Sequence, residues 1–175
     1  MGGARLPRLP MIAITVLRVL VGWHFLYEGI AKLTSASWSA SGYLKQARGP
    51  FAGLFRGLAA DANLLAYADQ ITMWGLTAVG ALLILGLFTR LASLAGIGFL
   101  LMFYFANPPF VGYFYSLPSE GSYLVVNKNL VELGALVVIL VSGSGRFAGL
   151  DAMVHALLAP RPRPGSLSLP ARVDV

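Results

Sequence analysis

The stretch MIAITVLRVLVGWHFLYEGIAK, from Met11 to Lys32, decides the fold. It is long and apolar enough to cross a bilayer, which takes about 20 residues. It also carries ionisable side chains, which cost roughly 2.5–3.5 kcal/mol each in hydrocarbon and usually face a bundle interior or a water-filled cavity. At about 100° per residue they share one helix face, and Trp23 and Tyr27 lie on the opposite face, toward lipid. These ionisable residues are Arg18, His24, Glu28 and Lys32.

The composition of the whole chain is that of a membrane protein. Of its 175 residues, 57% are hydrophobic and 11% are charged, against about 25% charged in soluble domains. The net charge of +6 comes from loops and tails. Basic residues in such segments typically set the orientation of a membrane protein and contact anionic lipids. No basic helix or aromatic RNA motif is present, so we predict no nucleic-acid partner.

The absence of cysteine excludes disulfides and thiolate ligands within the chain. With only two histidines, His24 and His155, a multi-histidine metal site is not expected either. We therefore predict no metal and no covalently bound cofactor.

We predict an all-α integral membrane protein, a four-transmembrane-helix bundle that forms one unit over residues 1–159. The first outer loop interleaves aromatic residues with basic ones, which predicts two short amphipathic helices in the headgroup region with the aromatic side chains at the interface. These aromatic residues are Trp38, Tyr43, Phe51 and Phe55. A short helix is expected at Leu150–Leu158, and the Pro-, Ser- and Arg-rich segment 160–175 predicts a disordered tail. The predicted spans are 11–32, 71–88, 91–106 and 123–142, and the outer loops are 33–70 and 107–122.

Four spans place both termini on one side of the membrane. More arginines and lysines fall on that side than on the other, so the positive-inside rule predicts cytoplasmic termini. We expect an uncleaved first span and a multi-pass protein of a prokaryotic plasma (inner) membrane.

The fourth predicted span repeats the polar pattern of the first. Lys128 and Glu132 are four residues apart, as are Glu28 and Lys32. In antiparallel helices both pairs carry Lys toward the outer surface, so crossed pairing such as Glu28 with Lys128 would neutralise all four. Glu132 is predicted near the middle of its span, within reach of the long Arg18 side chain. Hydrogen-bonding support is expected from His24, Tyr123, Asn127 and Asn129.

This polar cluster has two interpretations. Buried ion pairs can fix which helices pack and in what register, or the cluster is a ligand or proton site. We favour the second, because five side chains that are charged at neutral pH exceed what helix register needs and intramembrane charge is functional by default. They are Arg18, Glu28, Lys32, Lys128 and Glu132. Hydrogen-bond donors, carboxylates and aromatic side chains suit a quinone headgroup, and they equally suit a small anion such as an oxyanion of sulfur.

Several segments together resemble the DoxX/DoxD family of small membrane proteins. They are GWHFLYEGIAKL (Gly22–Leu33), LGLFTRLASLAG (Leu85–Gly96), NPPF (Asn107–Phe110), EGSYLVVNKNLVE (Glu120–Glu132) and SGSGRFAGLD (Ser142–Asp151). The resemblance spans nearly the whole chain, and the combination is more specific than any one segment. It implies a four-helix membrane bundle related to the membrane subunit of thiosulfate:quinone oxidoreductase.

The resemblance implies quinone-linked, sulfur-related redox chemistry, with quinone as co-substrate. We then expect Glu28, Glu132 and His24 to move protons. A further set would bind the oxyanion or quinone: Arg18, Lys32, Lys128, Asn127, Asn129 and Tyr123.

Two alternatives stay open: a non-catalytic membrane scaffold for a redox or respiratory complex, and a small-solute or proton conductor. The expected partners are the lipid bilayer, a redox subunit and further copies of the chain.

Overall fold

A computed structural model of the protein describes residues 8–110, 112 and 124–158, and its secondary structure elements are all α-helices. The predicted all-α class is confirmed. Three helices, α1, α4 and α5, are long and apolar enough to cross a membrane. The helices in chain order are α1 (Arg8–Thr34), α2 (Ser41–Lys45), α3 (Ala52–Ala60), α4 (Ala62–Leu85), α5 (Thr89–Ala106), α6 (Lys128–Ser142), α7 (Ser144–Phe147) and α8 (Leu150–Leu158).

Helix α1 packs most extensively against α4, and glycines permit the close approach. A Cβ atom on Gly80 would collide with the backbone nitrogen of Leu26, and one on Gly29 would collide with the backbone of Thr77. Small residues let membrane helices approach closely enough for their backbones to pack. Helix α6 packs against α1 and α5 and completes the core. The buried core residues are Val21, Phe25, Leu76, Val79, Leu83, Ala92, Leu100, Leu136 and Ile139.

Helix α4 begins at Ala62, well before residue 71, where the second span was predicted to start. The Asp61 carboxylate accepts hydrogen bonds from the backbone amides of Asn63 and Leu64, at 2.8 and 3.0 Å, and so caps the helix. The first nine residues of α4 therefore fall within the segment 33–70 that was predicted as the first outer loop. Helix α4 ends at Leu85, because Gly86 adopts the left-handed conformation with φ of 64°.

Within the predicted fourth span, helix α6 begins at Lys128 and not at Tyr123, where the span was predicted to start. Leu124 has φ of 63°, and the Asn127 side chain caps the helix by accepting from Leu130 N at 3.1 Å. Glu132 therefore lies in the second turn of α6 and not near its middle. Tyr123 itself, residues 113–122 and the predicted tail 160–175 lie outside the described residues.

Two short helices, α2 and α3, are present in the segment predicted as the first outer loop, and they fold against α4 and α5. Their place in the headgroup region stays a prediction. Tyr43 Oη donates to the Phe103 carbonyl at 2.8 Å, and Arg48 N donates to the Ala106 carbonyl at 3.1 Å. Phe55 is only 6% exposed, so it is a core residue of this cap and not an aromatic anchor at a membrane surface. We call this end of the bundle the loop end. The opposite end, with the start of α1, the turn between α4 and α5, α7 and α8, is the terminal end.

Candidate functional site

At the loop end, His24 joins α1 to α6. Its Nδ1 lies 2.5 Å from Glu132 Oε1, and its Nε2 lies 3.3 Å from Lys128 Nζ. The Nε2 contact is a hydrogen bond whose direction depends on the imidazole tautomer, whereas the Nδ1 contact with the carboxylate is an ion-pair distance without hydrogen-bond geometry. The three side chains thus form a continuous run of polar contacts from Lys128 through His24 to Glu132.

A second ion pair extends this chain along α1. Lys32 Nζ pairs with Glu28 Oε2 one turn away, and it also donates to the Glu28 carbonyl at 3.2 Å. Glu28 Oε1 lies 3.9 Å from His24 Nε2, so the Glu28–Lys32 pair is in contact with the set formed by Lys128, His24 and Glu132. Lys32 Nζ lies 5.6 Å from the centre of the Trp38 ring, which favours a cation at this position.

These side chains line a cavity of about 110 Å³ between α1, α4, α5 and α6. A single water needs only about 10–15 Å³ of such volume, so the cavity admits several waters or a small polar molecule. The Glu28 side chain is 40% exposed and the Glu132 side chain 15%, so the cavity leads from the protein surface inward. Its lining residues are His24, Phe25, Glu28, Lys32, Leu76, Leu100, Phe103, Lys128, Asn129 and Glu132.

Local structure explains why the polar residues converge here. The Asn127 cap fixes the start of α6, which places Lys128 and Glu132 one turn apart on one face. The glycine contacts draw α1 toward α4, which sets His24 and Glu28 beside the apolar wall formed by Leu76. The cavity is therefore polar on its α1 and α6 sides and apolar toward α4 and α5.

Most of the predicted site residues come together in this cavity. His24, Glu28, Lys32, Lys128, Asn129 and Glu132 all line it. The crossed scheme holds in part. Lys128 attracts Glu28 electrostatically, but the ion pair of Glu28 is made with Lys32 on the same helix, and Glu132 contacts His24. Asn127 is used as a helix cap and does not line the cavity, and Tyr123 lies outside the described residues.

Arg18 does not reach Glu132, contrary to the expectation from the sequence. Its side chain is 2% exposed at the terminal end, where Nη2 donates to the Ala148 carbonyl at 2.6 Å. The guanidinium lies against Gly86 and is attracted electrostatically by Asp151. Arg18 shares a helix face with His24, but six residues separate them, which is about 9 Å along the axis.

Asp151 is a structural residue that the sequence did not single out. Its carboxylate accepts from the backbone amides of Phe88 and Thr89, at 2.7 and 3.0 Å. Partial burial opposes ionisation, but these amides, the adjacent Thr89 hydroxyl and Arg18 together hold the pKa of Asp151 below its ordinary value. An acidic residue in the first turn of α8 predicts only a local cap, whereas here it binds the start of α5.

The sequence analysis also did not predict the apolar wall of the cavity. Leu76 on α4, and Leu100 and Phe103 on α5, line it without any polar marker in the sequence. Among the residues that the structure describes, no three His, Asp or Glu side chains gather closely enough to hold a metal ion. The chemistry of the cavity is thus that of paired charges beside apolar and aromatic side chains.

Comparison with known proteins adds one match. The family model described as DoxX matches residues 13–107, more than half of the chain, from α1 through α5. It includes His24, Glu28 and Lys32, whereas Lys128 and Glu132 lie beyond its end. No curated protein and no solved structure matched the chain. The match agrees with the membrane-type helices described above, and the chain therefore belongs to the DoxX family of membrane proteins.

Proposed function

We propose that the protein is the membrane subunit of a quinone-linked oxidoreductase, and that the cavity at the loop end binds the quinone headgroup. The observation that carries the proposal is the chain Lys128–His24–Glu132, with contacts of 3.3 and 2.5 Å, on the wall of a cavity. It combines a cation, a titratable imidazole and a carboxylate beside apolar side chains. A quinone headgroup needs this combination, because its carbonyl oxygens accept hydrogen bonds and its ring is apolar.

The residues would have distinct roles. Lys128 and Lys32 donate to a quinone carbonyl and stabilise the negative charge that develops on it during reduction. In its protonated form, His24 delivers the Nε2 proton to the same oxygen, and Glu132 orients the imidazole and stabilises its charged form. Glu28, whose side chain is 40% exposed, connects His24 to the surroundings for reprotonation.

The electrons come from outside the chain. Reduction of a quinone to a quinol takes two electrons and two protons, and oxidative coupling of two thiosulfate ions through a new S–S bond releases two electrons. The chain has no cysteine to carry them. The electrons therefore pass directly from a bound sulfur oxyanion or through a partner redox subunit.

The membrane arrangement belongs to the same proposal. Helix α6 has 15 residues, about 22 Å at 1.5 Å per residue, and it packs against α1 and α5. With the residues before it, α6 would form the fourth span. The described arginines of the terminal end, Arg8, Arg90 and Arg146, favour placing that end in the cytoplasm of a prokaryote. The cavity would then open toward the outer face.

Turnover in nanodiscs tests the chemistry. Purified protein, thiosulfate and decylubiquinone should give quinol formation, followed by the loss of quinone absorbance, and Glu132→Gln should abolish it. Asp61→Asn is the matched control, because it makes the same carboxylate-to-amide change far from the cavity and leaves a competent helix cap. Turnover that equals that of empty nanodiscs, with and without membrane extract as a source of partner subunits, would contradict the proposal.

One observation favours a second candidate, a scaffold that docks a redox partner. The cap formed by α2 and α3 has its own buried core and presents Lys45, Arg48 and Arg56 outward, all exposed. A folded cap with a basic outer surface suits an acidic partner protein. Copurification decides between the two: a stoichiometric partner lost on charge reversal of these three residues, with no quinone turnover, would favour the scaffold.

A further inference from the structure

A second cavity, of about 350 Å³, lies at the terminal end of the bundle, away from the first. It is formed by the start of α5, the end of α6, α7 and α8. Its polar lining includes Arg90, Arg146 and His155, and its apolar lining includes Phe88, Leu91, Ile139 and Val154. The cavity therefore joins cationic and apolar side chains where membrane-spanning helices end.

The two arginines of this cavity are available to bind a ligand. No carboxylate within the described residues forms an ion pair with Arg90 or Arg146. The one acidic residue that lines the cavity, Asp151, is already engaged by the backbone amides of Phe88 and Thr89 and lies near Arg18. Two arginine charges thus face the cavity without a described counter-ion.

An exposed apolar stripe leads from this cavity along α5. Leu91, Leu94, Leu101 and Phe105 are 65%, 54%, 38% and 38% exposed, and Gly98 lies between them. Their spacing of three or four residues places them on one helix face. A Cβ atom on Gly98 would meet nothing within 4 Å, so the stripe is shallow at its middle. A stripe of this kind suits an acyl chain.

We propose that this cavity binds the headgroup of an anionic phospholipid, with the phosphate held by Arg90 and Arg146 and an acyl chain lying along the α5 stripe. Arginine suits phosphate because its planar fork donates two parallel hydrogen bonds. Basic pockets between membrane helices on the cytoplasmic side recognise acidic headgroups in the same way. The exposed Met153 and Leu157 side chains of α8 place this helix beside the lipid. The proposal is independent of the quinone site, which lies at the other end.

Lipid titration followed by native mass spectrometry of the full-length protein tests this proposal. Phosphatidylglycerol should bind more tightly than phosphatidylcholine of the same chain length, and Arg90→Gln/Arg146→Gln should weaken phosphatidylglycerol binding about 30-fold, each charge contributing about equally. The matched control is Arg56→Gln with Lys45→Gln, which removes two exposed charges from the loop end. Circular dichroism and size-exclusion chromatography confirm that each variant is folded.

Three outcomes would overturn the proposal. The first is a double arginine variant that keeps wild-type affinity for phosphatidylglycerol. The second is a control variant that loses as much affinity as the double arginine variant. The third is displacement of the lipid by an equal concentration of glycerol phosphate, which carries the headgroup chemistry without acyl chains. In that case the cavity is a site for a soluble phosphate and not for a lipid.

Discussion

His24 Nδ1 lies 2.5 Å from Glu132 Oε1, and this contact ties the first membrane-spanning helix to α6. Glu132 Oε2 is buried without a hydrogen-bond partner among the described atoms. The contact with the imidazole must therefore offset the cost of removing the carboxylate from water. Removing the imidazole leaves a mostly buried charge unpaired, which is costly. The same contact that orients His24 toward the cavity therefore also stabilises the helix packing.

The pair should be energetically coupled. His24→Leu or Glu132→Leu alone should lower the free energy of unfolding by about 2 kcal/mol, and the double variant should cost less than the sum by about 1 kcal/mol. Unfolding in mixed micelles by sodium dodecyl sulfate, followed by circular dichroism, measures all three variants. Additive effects would show that the two side chains stabilise the protein separately.

Gly80 should be far less tolerant of a methyl group than Gly98. A Cβ atom on Gly80 would collide with the backbone of Leu26, whereas one on Gly98 would meet open space. We expect Gly80→Ala to destabilise the protein by about 1–3 kcal/mol, and Gly98→Ala to be neutral or to stabilise it by up to about 1 kcal/mol. Equal unfolding midpoints for both variants would contradict the close packing of α1 on α4.

Asp151 should make stability depend on acid pH. Burial alone would raise the pKa of Asp151, but the Thr89 hydroxyl, the amides of Thr89 and Phe88 and the charge of Arg18 together lower that pKa in the folded protein. Its contribution to the free energy of unfolding is therefore complete above the unfolded-state pKa of about 3.9. That contribution is lost as the pH falls through the lower pKa of the folded state.

Asp151→Asn isolates this contribution from other carboxylates. At neutral pH the variant should be less stable by about 1 kcal/mol, because hydrogen bonds to a charged acceptor are stronger than those to a neutral one. The difference from the wild type should shrink below about pH 4. A difference that stays constant down to about pH 2 would show that ionised Asp151 has no role in stability.

Lys128 should determine quinone affinity. Lys128→Gln removes the cation that lies 3.3 Å from His24, and a charged hydrogen bond of about 1.5 kcal/mol corresponds to about a tenfold increase in KM for quinone. Lys45→Gln, an exposed change on α2, is the control. If both variants raise KM equally, the effect comes from net charge and not from contact with the ligand.

Sequence periodicity predicted the membrane helices and most of the polar cavity. Helix spacing alone placed His24, Glu28 and Lys32 on one face of α1, and Lys128 and Glu132 on one face of α6. It could not give which side chains of α1 and α6 pair, because the pairing depends on where α6 begins along the axis of the bundle. The Asn127 cap sets that position.

Arg18 shows the main limit of this reasoning. The sequence placed Arg18 within reach of Glu132 because it set Glu132 near the middle of its span, whereas Glu132 lies in the second turn of α6 at the loop end. Arg18's true partners, Ala148 and Asp151, come from the chain's return through α7 and α8, which no local pattern predicts. The same holds for Phe55, which has the spacing of an interfacial aromatic residue but packs inside the α2–α3 cap.

Photoaffinity labelling with an azido-quinone tests the central claim most directly, because it requires neither an electron donor nor a partner subunit. Protein in nanodiscs would be labelled, digested and mapped by mass spectrometry, with decylubiquinone as competitor. The account predicts competable label, mapped to single residues, on cavity-lining side chains of α1 and α6 (His24, Glu28, Lys32, Lys128 and Glu132). Lys128→Gln should reduce this label strongly, and Lys45→Gln should not. Label confined to the lipid-facing side chains, such as Trp23 and Tyr27, or label that decylubiquinone does not displace, would contradict it.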